Sequence, residues 1–487
     1  MKQAEEKVIL VDENDHPVGL MPKMEAHQKG LLHRAFSVFI LDDRGRLLLQ
    51  QRAAHKYHSP ALWTNTVCSH PRQGEGNIEA GIRRLKEEMG FSAPLQEVFS
   101  FIYKAEFDNG LTEHELDHVL IGKFNGKVQP NPEEVMDYKW VYLSELVEEI
   151  QKNPGHFTAW FKIIFEKSLP KLLQAVVSLY PDMTLSFEPV FVEKPWGSDK
   201  LKKVLHKNIP SPHTGESWEI SAVPGKSTKV SDGVFKGFTL EFLWQHLDDN
   251  FFGSSRKKHS AFPLLIKYID AADDLSVQVH PGDDVAMKKH NSFGKNETWQ
   301  IIEADEGAAL YIGLKPGITE ENYLKLLEKG TLEQILNKIP VKPGDWFYIP
   351  AGTVHAIGKG VLLAEIQQSS DITYRIFDWN RPGLDGKPRE LHTQQALEVI
   401  NIDAKPHKVD DNVLKTPYFH VENLHLSKNV NFPKHHHFTI YMNNHPGGTF
   451  EINGKKLDFG QTLFVPAGID IKIKTLKPGI LTRISPE

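Results

Sequence analysis

Short bursts of alternating apolar and polar residues fill the first third of this chain, and helical stripes interrupt them. Val8–Val11 is a brief apolar run closed by the turn-forming stretch DENDHPVG. Ala35–Leu41 and Arg46–Gln51 read as strands around the turn Asp42–Gly45, and Val98–Ala105, His118–Phe124 and Lys139–Tyr142 as further strands. Glu79–Met89 has helical periodicity and stops at Gly90; Leu143–Ile150 begins another helix, with Ser144 as its expected cap. Phe157, Trp160, Phe161, Ile164 and Phe165 fall on one helical face. The mixture predicts an α+β domain over residues 1–167. Residues 168–182 follow as a short helix between Pro170 and Pro181, with Leu172, Leu173, Val176, Val177 and Tyr180 at helical spacing. The stretch is either a semi-rigid spacer or the last helix of the first domain.

Beyond the seam the pattern changes to strands with regular turns. Phe262–Ile269, Leu275–Val279, Glu297–Ile302, Ala308–Ile312, Asp345–Ile349 and Val361–Ile366 read as strands, with a helical insert over Glu320–Ile339. This periodicity suits a mainly β double barrel of the jelly-roll type. A repeat supports two barrels: GDWFYIPAG (Gly344–Gly352) recurs as GQTLFVPAG (Gly460–Gly468). His355 follows the first Pro-Ala-Gly corner, but Ile471 holds the matching place after the second. The expected division is therefore a chemical barrel over 183–400 and a non-catalytic one over 401–487. His435, His436 and His437 in the second barrel lack a matching acid and corner histidine, and read as an exposed strand end.

A chain of 487 residues is too long for one ordinary core. The net charge of −6, without a long basic run, argues against binding nucleic acid through its phosphates. One cysteine excludes an intrachain disulfide and fits a reducing cytoplasm. The first residues hold no apolar core of signal-peptide length, and no run reaches the roughly 20 apolar residues of a membrane span, so neither export nor membrane insertion is expected.

Candidate chemistry in the first half gathers around that cysteine, in TNTVCSHP (Thr64–Pro71). Alone, Cys68 reads as a small core residue. His27, His33 and His70, with Glu113 and Glu115 on one face of an extended TEHEL, could instead make a five-ligand N/O shell for a divalent ion. TNTVCSHP, LLHRAF, RRLKEEMG and TEHEL, in that order, resemble type I isopentenyl-diphosphate isomerase of the Nudix fold over about residues 5–167. The resemblance implies that those five residues hold a metal (Mg²⁺, Mn²⁺ or Zn²⁺). It implies that Cys68 and Glu115 transfer the protons, assisted by Tyr103, and that Trp160 faces a carbocation. It further implies that Glu88 helps hold a Mg²⁺ carrying the substrate diphosphate, and that Lys23, Arg52, Lys56 and Arg84 bind that diphosphate. The competing reading is a Nudix diphosphate hydrolase. Such enzymes carry REUxEE, where this chain has RRLKEE, and Arg84 in place of the first glutamate weakens a metal cluster.

In the second half, Gln278 and His280 alternate onto one face, and Glu297 and His355 complete a possible zinc shell with open positions. VEKPWG, GESWEIS, QVHPGD, GKNETW, PAGTVHAI and EIQQSSDITYRIFDW resemble type I mannose-6-phosphate isomerase in its short bacterial form, over about residues 184–487. The resemblance implies Zn²⁺ on Gln278, His280, Glu297 and His355, and a catalytic role for Arg375. Lys295, Glu365, Ser276 and Trp196 match active-site residues, with Ser276 and Lys295 candidates for the phosphate. The competing reading is a sugar-binding cupin without turnover. The expectation is a fused, bifunctional isomerase acting on small molecules: an α+β Nudix-like domain, then a double cupin with a helical insert.

Overall fold

The computed structural model describes residues 6–383 and 385–487; the first five residues, on which part of the reading of the leader rests, lie outside them. The chain divides into two compact units, one running up to Pro181 and taking in Asp232–Phe238, the other holding Asp182–Ser231 and Thr239–Glu487.

In the first unit, strand His33–Leu41 pairs in parallel with Thr112–Lys123, placing His33 opposite Glu115. Thr112–Lys123 also pairs antiparallel with Leu95–Glu106, and there Tyr103 faces Glu115. The short strand Val67–Ser69 lies along the other edge of His33–Leu41, with Cys68 opposite Ser37. Alternation along His33–Leu41 feeds two cores. Phe36, Val38 and Ile40 pack with Ala80, Leu85 and Met89 of the helical stretch Asn77–Met89. Phe39, on the other face, stacks on Phe161 with centroids 6.1 Å apart. Helices therefore cover both faces of the sheet. The helix of Asn77–Arg84 loosens into a π turn over Leu85–Met89 and ends at Gly90, whose φ of +75° is left-handed and favours glycine.

Three local expectations differ from this structure. Strand Thr112–Lys123 begins well before His118, so TEHEL is extended. Ser144 does not cap its helix: Tyr142 is the N-cap, and Ser144 Oγ donates to the Lys236 carbonyl at 2.5 Å. The helix expected between Pro170 and Pro181 is not separate, because one helix spans Ala159–Ser178 with Pro170 inside it. Pro170 is exposed, while Phe161, Ile164, Phe165, Leu169, Leu172, Leu173 and Val176 are buried in one continuous stripe. Burying several such side chains, each worth about 1.5–3 kcal/mol, outweighs the roughly 3 kcal/mol cost of an interior proline.

The second unit contains two barrels. A seven-stranded sheet and a five-stranded sheet form the first, and sheets of five and four strands form the second. Strand Leu264–Ala271 pairs with Val361–Gln368, which pairs with Glu297–Ala304. The insert holds a helix, Glu320–Glu328, and a 3-10 turn, Leu332–Ile335, but Leu336–Pro340 is a strand paired with Ala309–Leu314. His407–Lys408 hydrogen-bonds to Phe347 and Tyr348, so the first barrel's larger sheet reaches past the expected boundary at 400. Gln300 joins the barrels through a buried network with Asn423, Asn444 and Thr482. Among the described residues no helix is long and apolar enough to cross a membrane.

Candidate active sites

Glu115 is the hub of the first site because two strand pairings flank it. His33 Nε2 lies 3.5 Å and His70 Nε2 3.1 Å from Glu115 Oε1. His27 closes the group from helix Lys23–Lys29, its ring centroid 5.0 Å from that of His33 and 5.9 Å from that of His70. Ligand atoms of His27, His33, His70 and Glu115 all lie within 4.8 Å of one another, and all four residues are buried. His33 Nδ1 meets the Leu31 carbonyl at 2.8 Å, leaving Nε2 to face the group. Among the described residues, neither ring nitrogen of the buried His27, nor Nδ1 of His70, has a hydrogen-bond partner. Orphaned buried imidazoles beside a carboxylate are what a divalent ion would satisfy, so the donor set fits one.

Glu113, expected as a fifth ligand, is on the same face but outside that group. It accepts from Tyr103 Oη at 3.1 Å, and His58 Nε2 lies 3.5 Å from its other oxygen. Tyr103 Oη also donates to Glu115 Oε2 at 2.6 Å. Burial raises both carboxyls, but the His33 and His70 imidazoles beside it hold Glu115 well below its ordinary range. Glu113, buried beside that charge, is pushed well above its own. Two neighbouring carboxyls with separated protonation states are suited to acid and base work.

Cys68, His27, His58, His70, Tyr103, Glu113, Glu115 and Trp160 line one cavity of about 210 Å³, with Lys23, Arg52, Lys56, Arg84 and Glu88 also on its wall. Burial pushes the Cys68 thiol far up, so it carries its proton at neutral pH. The four bases expected to hold diphosphate are present but already engaged. Lys56 pairs with Glu134, Lys23 lies 3.5 Å from Glu6, and Arg84 reaches Glu88 at 2.6 Å. Arg52 donates to the carbonyls of Ser59 and His58 at 3.2 and 3.3 Å, and its guanidinium lies 5.3 Å from the Trp160 ring centre. Glu88, expected to help carry Mg²⁺, accepts from Arg84 and from Gln50. His58 was missed; one histidine in a loop carries no periodicity to mark it.

The second site forms where strand ends of the first barrel meet. Gln278 and His355 are direct cross-strand partners, and His280 follows strand Val277–Val279. His355 Nε2 lies 3.1 Å and His280 Nε2 3.7 Å from Glu297 Oε1, and the Gln278 amide is 3.3 Å from His355 Nε2. Both histidines turn Nδ1 to a backbone carbonyl, of Ile372 and of Thr353, each at 2.8 Å. Their Nε2 atoms are thereby aimed together, and His280, Glu297 and His355 satisfy the geometry of a metal-binding group. Lys295 Nζ stands 3.1 Å from His280 Nε2 and 3.2 Å from Glu297 Oε2. Burial and then this ammonium lower the His280 imidazole well below its ordinary value; Lys295 and the histidines overcome burial to keep Glu297 ionised. A buried carboxylate between two imidazoles fits a zinc-type donor set.

Glu365 accepts from Trp299 Nε1 at 2.9 Å and pairs with Lys267 at 2.8 Å. Lys267 was missed: it sits in the apolar strand LLIKYIDA and is buried. Arg375 Nε donates to Ser276 Oγ at 3.3 Å. Trp196 is placed differently from the rest. It lies in the barrel's apolar core with Trp299, Leu310 and Leu363. His435–His437 fall between strands Val430–Phe432 and Thr439–Met442, and His436 is exposed. Among the described residues no three metal-ligating atoms converge there.

Comparison with known proteins follows the same division. A family model for the NUDIX domain matches residues 31–161, and one for the phosphomannose isomerase type I catalytic domain matches residues 184–300. An isopentenyl-diphosphate Delta-isomerase of Serratia proteamaculans is 53% identical over 162 residues, 33% of this chain and 90% of that protein. A mannose-6-phosphate isomerase of Bacillus subtilis is 43% identical over 225 residues, 46% of this chain and 70% of that protein. The crystal structure of a mannose 6-phosphate isomerase from Bacillus subtilis superposes with a TM-score of 0.56 at 31% identity, covering 62% of this chain and 99% of that one.

Proposed function

We propose a mechanism for each half of a chain that belongs to two enzyme families, the Nudix-fold isopentenyl-diphosphate isomerases and the type I mannose-6-phosphate isomerases; it is a fused bifunctional isomerase.

The first half interconverts isopentenyl and dimethylallyl diphosphate. Moving the double bond from C3–C4 to C2–C3 adds a proton at C4 and removes one at C2, through a tertiary cation at C3. The observation that carries this reading is a thiol, Cys68, and a carboxylate, Glu115, on the wall of one cavity. They serve as the two proton-transfer groups. Tyr103 orients Glu115 through its 2.6 Å hydrogen bond. The Trp160 ring faces the cation, an interaction worth about 2 kcal/mol or more in a dry site. Lys23, Arg52, Lys56 and Arg84 exchange their present acceptors for the diphosphate. His27, His33, His70 and Glu115 hold a divalent ion, with Glu113 beside them; Mg²⁺, Mn²⁺ and Zn²⁺ all suit the mixed donors. When bound, that ion supplies positive charge that orients and polarises the carboxylate. Nudix hydrolysis is disfavoured, because Arg84 stands where a hydrolase carries the first glutamate of its metal cluster. A reducing cytoplasm suits a mechanism that needs Cys68 as a free thiol.

The second half interconverts mannose 6-phosphate and fructose 6-phosphate by moving a proton between C1 and C2 through a cis-enediol. The convergence of His280, Glu297 and His355, beside Lys295, carries this reading. With Gln278 they hold Zn²⁺, which when bound supplies electrophilic stabilisation of substrate oxygens. Arg375 stabilises the developing oxyanion, and Lys295 and Ser276 contact the phosphate or the sugar oxygens. Glu365, fixed between Lys267 and Trp299, is the neighbouring carboxylate available for proton transfer.

The test is NMR of isopentenyl diphosphate with the full chain in D₂O and Mg²⁺, and of mannose 6-phosphate with the zinc-loaded chain. Deuterium in a dimethylallyl product and at C1 of fructose 6-phosphate is expected. Phosphate release without an allylic product would make the first half a hydrolase, and sugar binding without exchange would leave the second a binding domain.

A further inference from the structure

We infer that Asp378 and Arg389 are positioning residues for Arg375, an inference that rests on the reading of the second half as a sugar-phosphate isomerase. Arg375 lies on strand Tyr374–Phe377, directly across from Gln278. Its guanidinium has two anchors, both uncharged: Nε donates to Ser276 Oγ at 3.3 Å and Nη1 to the Glu390 carbonyl at 3.0 Å. Held by neutral acceptors, it keeps its charge for an oxyanion that develops on the substrate. A fixed donor of this kind is effective only if it does not have to reorganise during the reaction.

The Glu390 carbonyl depends on its neighbour. Arg389 Nε donates to Asp378 Oδ2 at 2.6 Å and Nη2 donates to Asp378 Oδ1 at 2.5 Å, a two-pronged fork onto a buried carboxylate. Such planar pairing fixes orientation as well as distance. Asp378 stands three residues beyond Arg375, so the pair ties the chain around residue 390 back to the end of the Arg375 strand. Arg381 adds a third bond to Asp378 Oδ1 at 3.3 Å and reaches Asp273 Oδ2 at 3.1 Å. His392 completes the tie, its backbone N–H donating to the Arg375 carbonyl at 2.7 Å while its Nδ1 accepts from the Arg375 N–H at 3.2 Å.

The turn leaving the strand is strained. Trp379 and Asn380 have φ of +55° and +54°, where a residue with a Cβ is disfavoured. The Trp379 indole donating to the Leu275 carbonyl at 2.6 Å and the Asp378 fork hold this turn in place.

The experiment compares the full-length wild type with Asp378→Asn, Arg389→Gln and Arg389→Lys. Isomerisation of mannose 6-phosphate should lose kcat by on the order of 10- to 100-fold in all three, the size expected for a misplacement of about 1 Å, with KM within about threefold. Arg389→Lys should fall with Arg389→Gln, because an ammonium cannot form the fork. Isomerisation of isopentenyl diphosphate by the same molecules calibrates the enzyme concentration and should be unchanged, and the thermal midpoint reports the folding of the second unit. Unaltered kcat in Arg389→Gln, full activity in Arg389→Lys, or a kcat loss that tracks the thermal midpoint across the three variants would overturn the inference. A second readout does not depend on turnover: phenylglyoxal should modify Arg375 faster in Asp378→Asn than in wild type, and equal rates would count against it. A wild type without sugar isomerase activity would sink the functional reading, and the labelling rates would then decide the positioning separately.

Discussion

The Tyr103 hydroxyl donates to Glu115 Oε2 at 2.6 Å while His70 approaches Oε1 of the same carboxylate at 3.1 Å. One carboxylate is thus held from both sides, by a phenol and by an imidazole of the candidate metal group. Tyr103→Phe removes the phenol without changing the ring's volume. Allylic isomerisation should fall on the order of 100-fold, as for loss of one preorganised donor, with metal content unchanged. NMR turnover and metal analysis of the purified variant check both parts.

Cys68→Ala should abolish deuterium incorporation into dimethylallyl diphosphate, a loss on the order of 10³-fold or more for a removed proton-transfer group. Sugar isomerisation by the same protein should be untouched. Residual allylic turnover near wild type would mean that the buried thiol is a packing residue.

His355→Ala removes one of three converging ligand atoms and leaves Glu297 without its nearest imidazole. The purified variant should hold one zinc fewer than wild type, and mannose 6-phosphate turnover should drop by at least about 100-fold. Chelation of the wild type should reproduce the loss, and added Zn²⁺ should reverse it. Retained activity in zinc-free protein would refute the metal assignment.

Pro170 is exposed inside the helix Ala159–Ser178. Pro170→Ala restores an N–H that can reach the carbonyl of Glu166. The first unit should gain stability, by up to about 3 kcal/mol, read as a higher midpoint in urea unfolding followed by near-UV CD. A lower midpoint would show that the proline ring itself packs productively.

Asp270 is fully buried; Lys200 N–H donates to it at 2.7 Å and Leu201 N–H at 3.3 Å. Burial raises its carboxyl to about 6, above the ordinary value of 3.8. The folded state therefore holds a proton that the unfolded state has lost between about pH 4 and 6. Its contribution to stability is greatest below pH 4, declines as pH rises through that window, and is flat above it. The decline is on the order of 3 kcal/mol. Asp270→Asn should flatten this part of the profile, measured as the thermal midpoint against pH, whereas an unchanged profile would show that Asp270 is ionised when folded.

Much of the chemistry was legible because it is written in contiguous motifs. TNTVCSHP places Cys68 two residues from His70, and TEHEL puts Glu113 and Glu115 on one face once the segment is extended. QVHPGD and PAGTVHAI mark strand ends, where a barrel exposes side chains to its mouth. Less legible was what depends on which face becomes buried. Pro170 read as a boundary because a proline disrupts an isolated helix. The boundary disappears when a continuous apolar stripe on either side is buried. Trp196 sits inside a recognisable motif, VEKPWG, yet packs with Trp299 in the core.

The sequence by itself determined the two-part organisation, the change from α+β to mainly β, and most of the candidate site residues, because these depend on local periodicity and on residue type. Only the tertiary structure decided which of those residues meet. Parallel pairing of His33–Leu41 with Thr112–Lys123 sets His33 beside Glu115 across about 80 residues, and no local pattern encodes that register. The same holds for Lys267. A lysine in an apolar strand reads as an outward-facing residue until pairing places it opposite Glu365, and Glu365 opposite Trp299. A one-residue slip in either ladder would turn these side chains to the other face. The inward charge is therefore a property of the closed barrel and its registers, not of the strand that contains it.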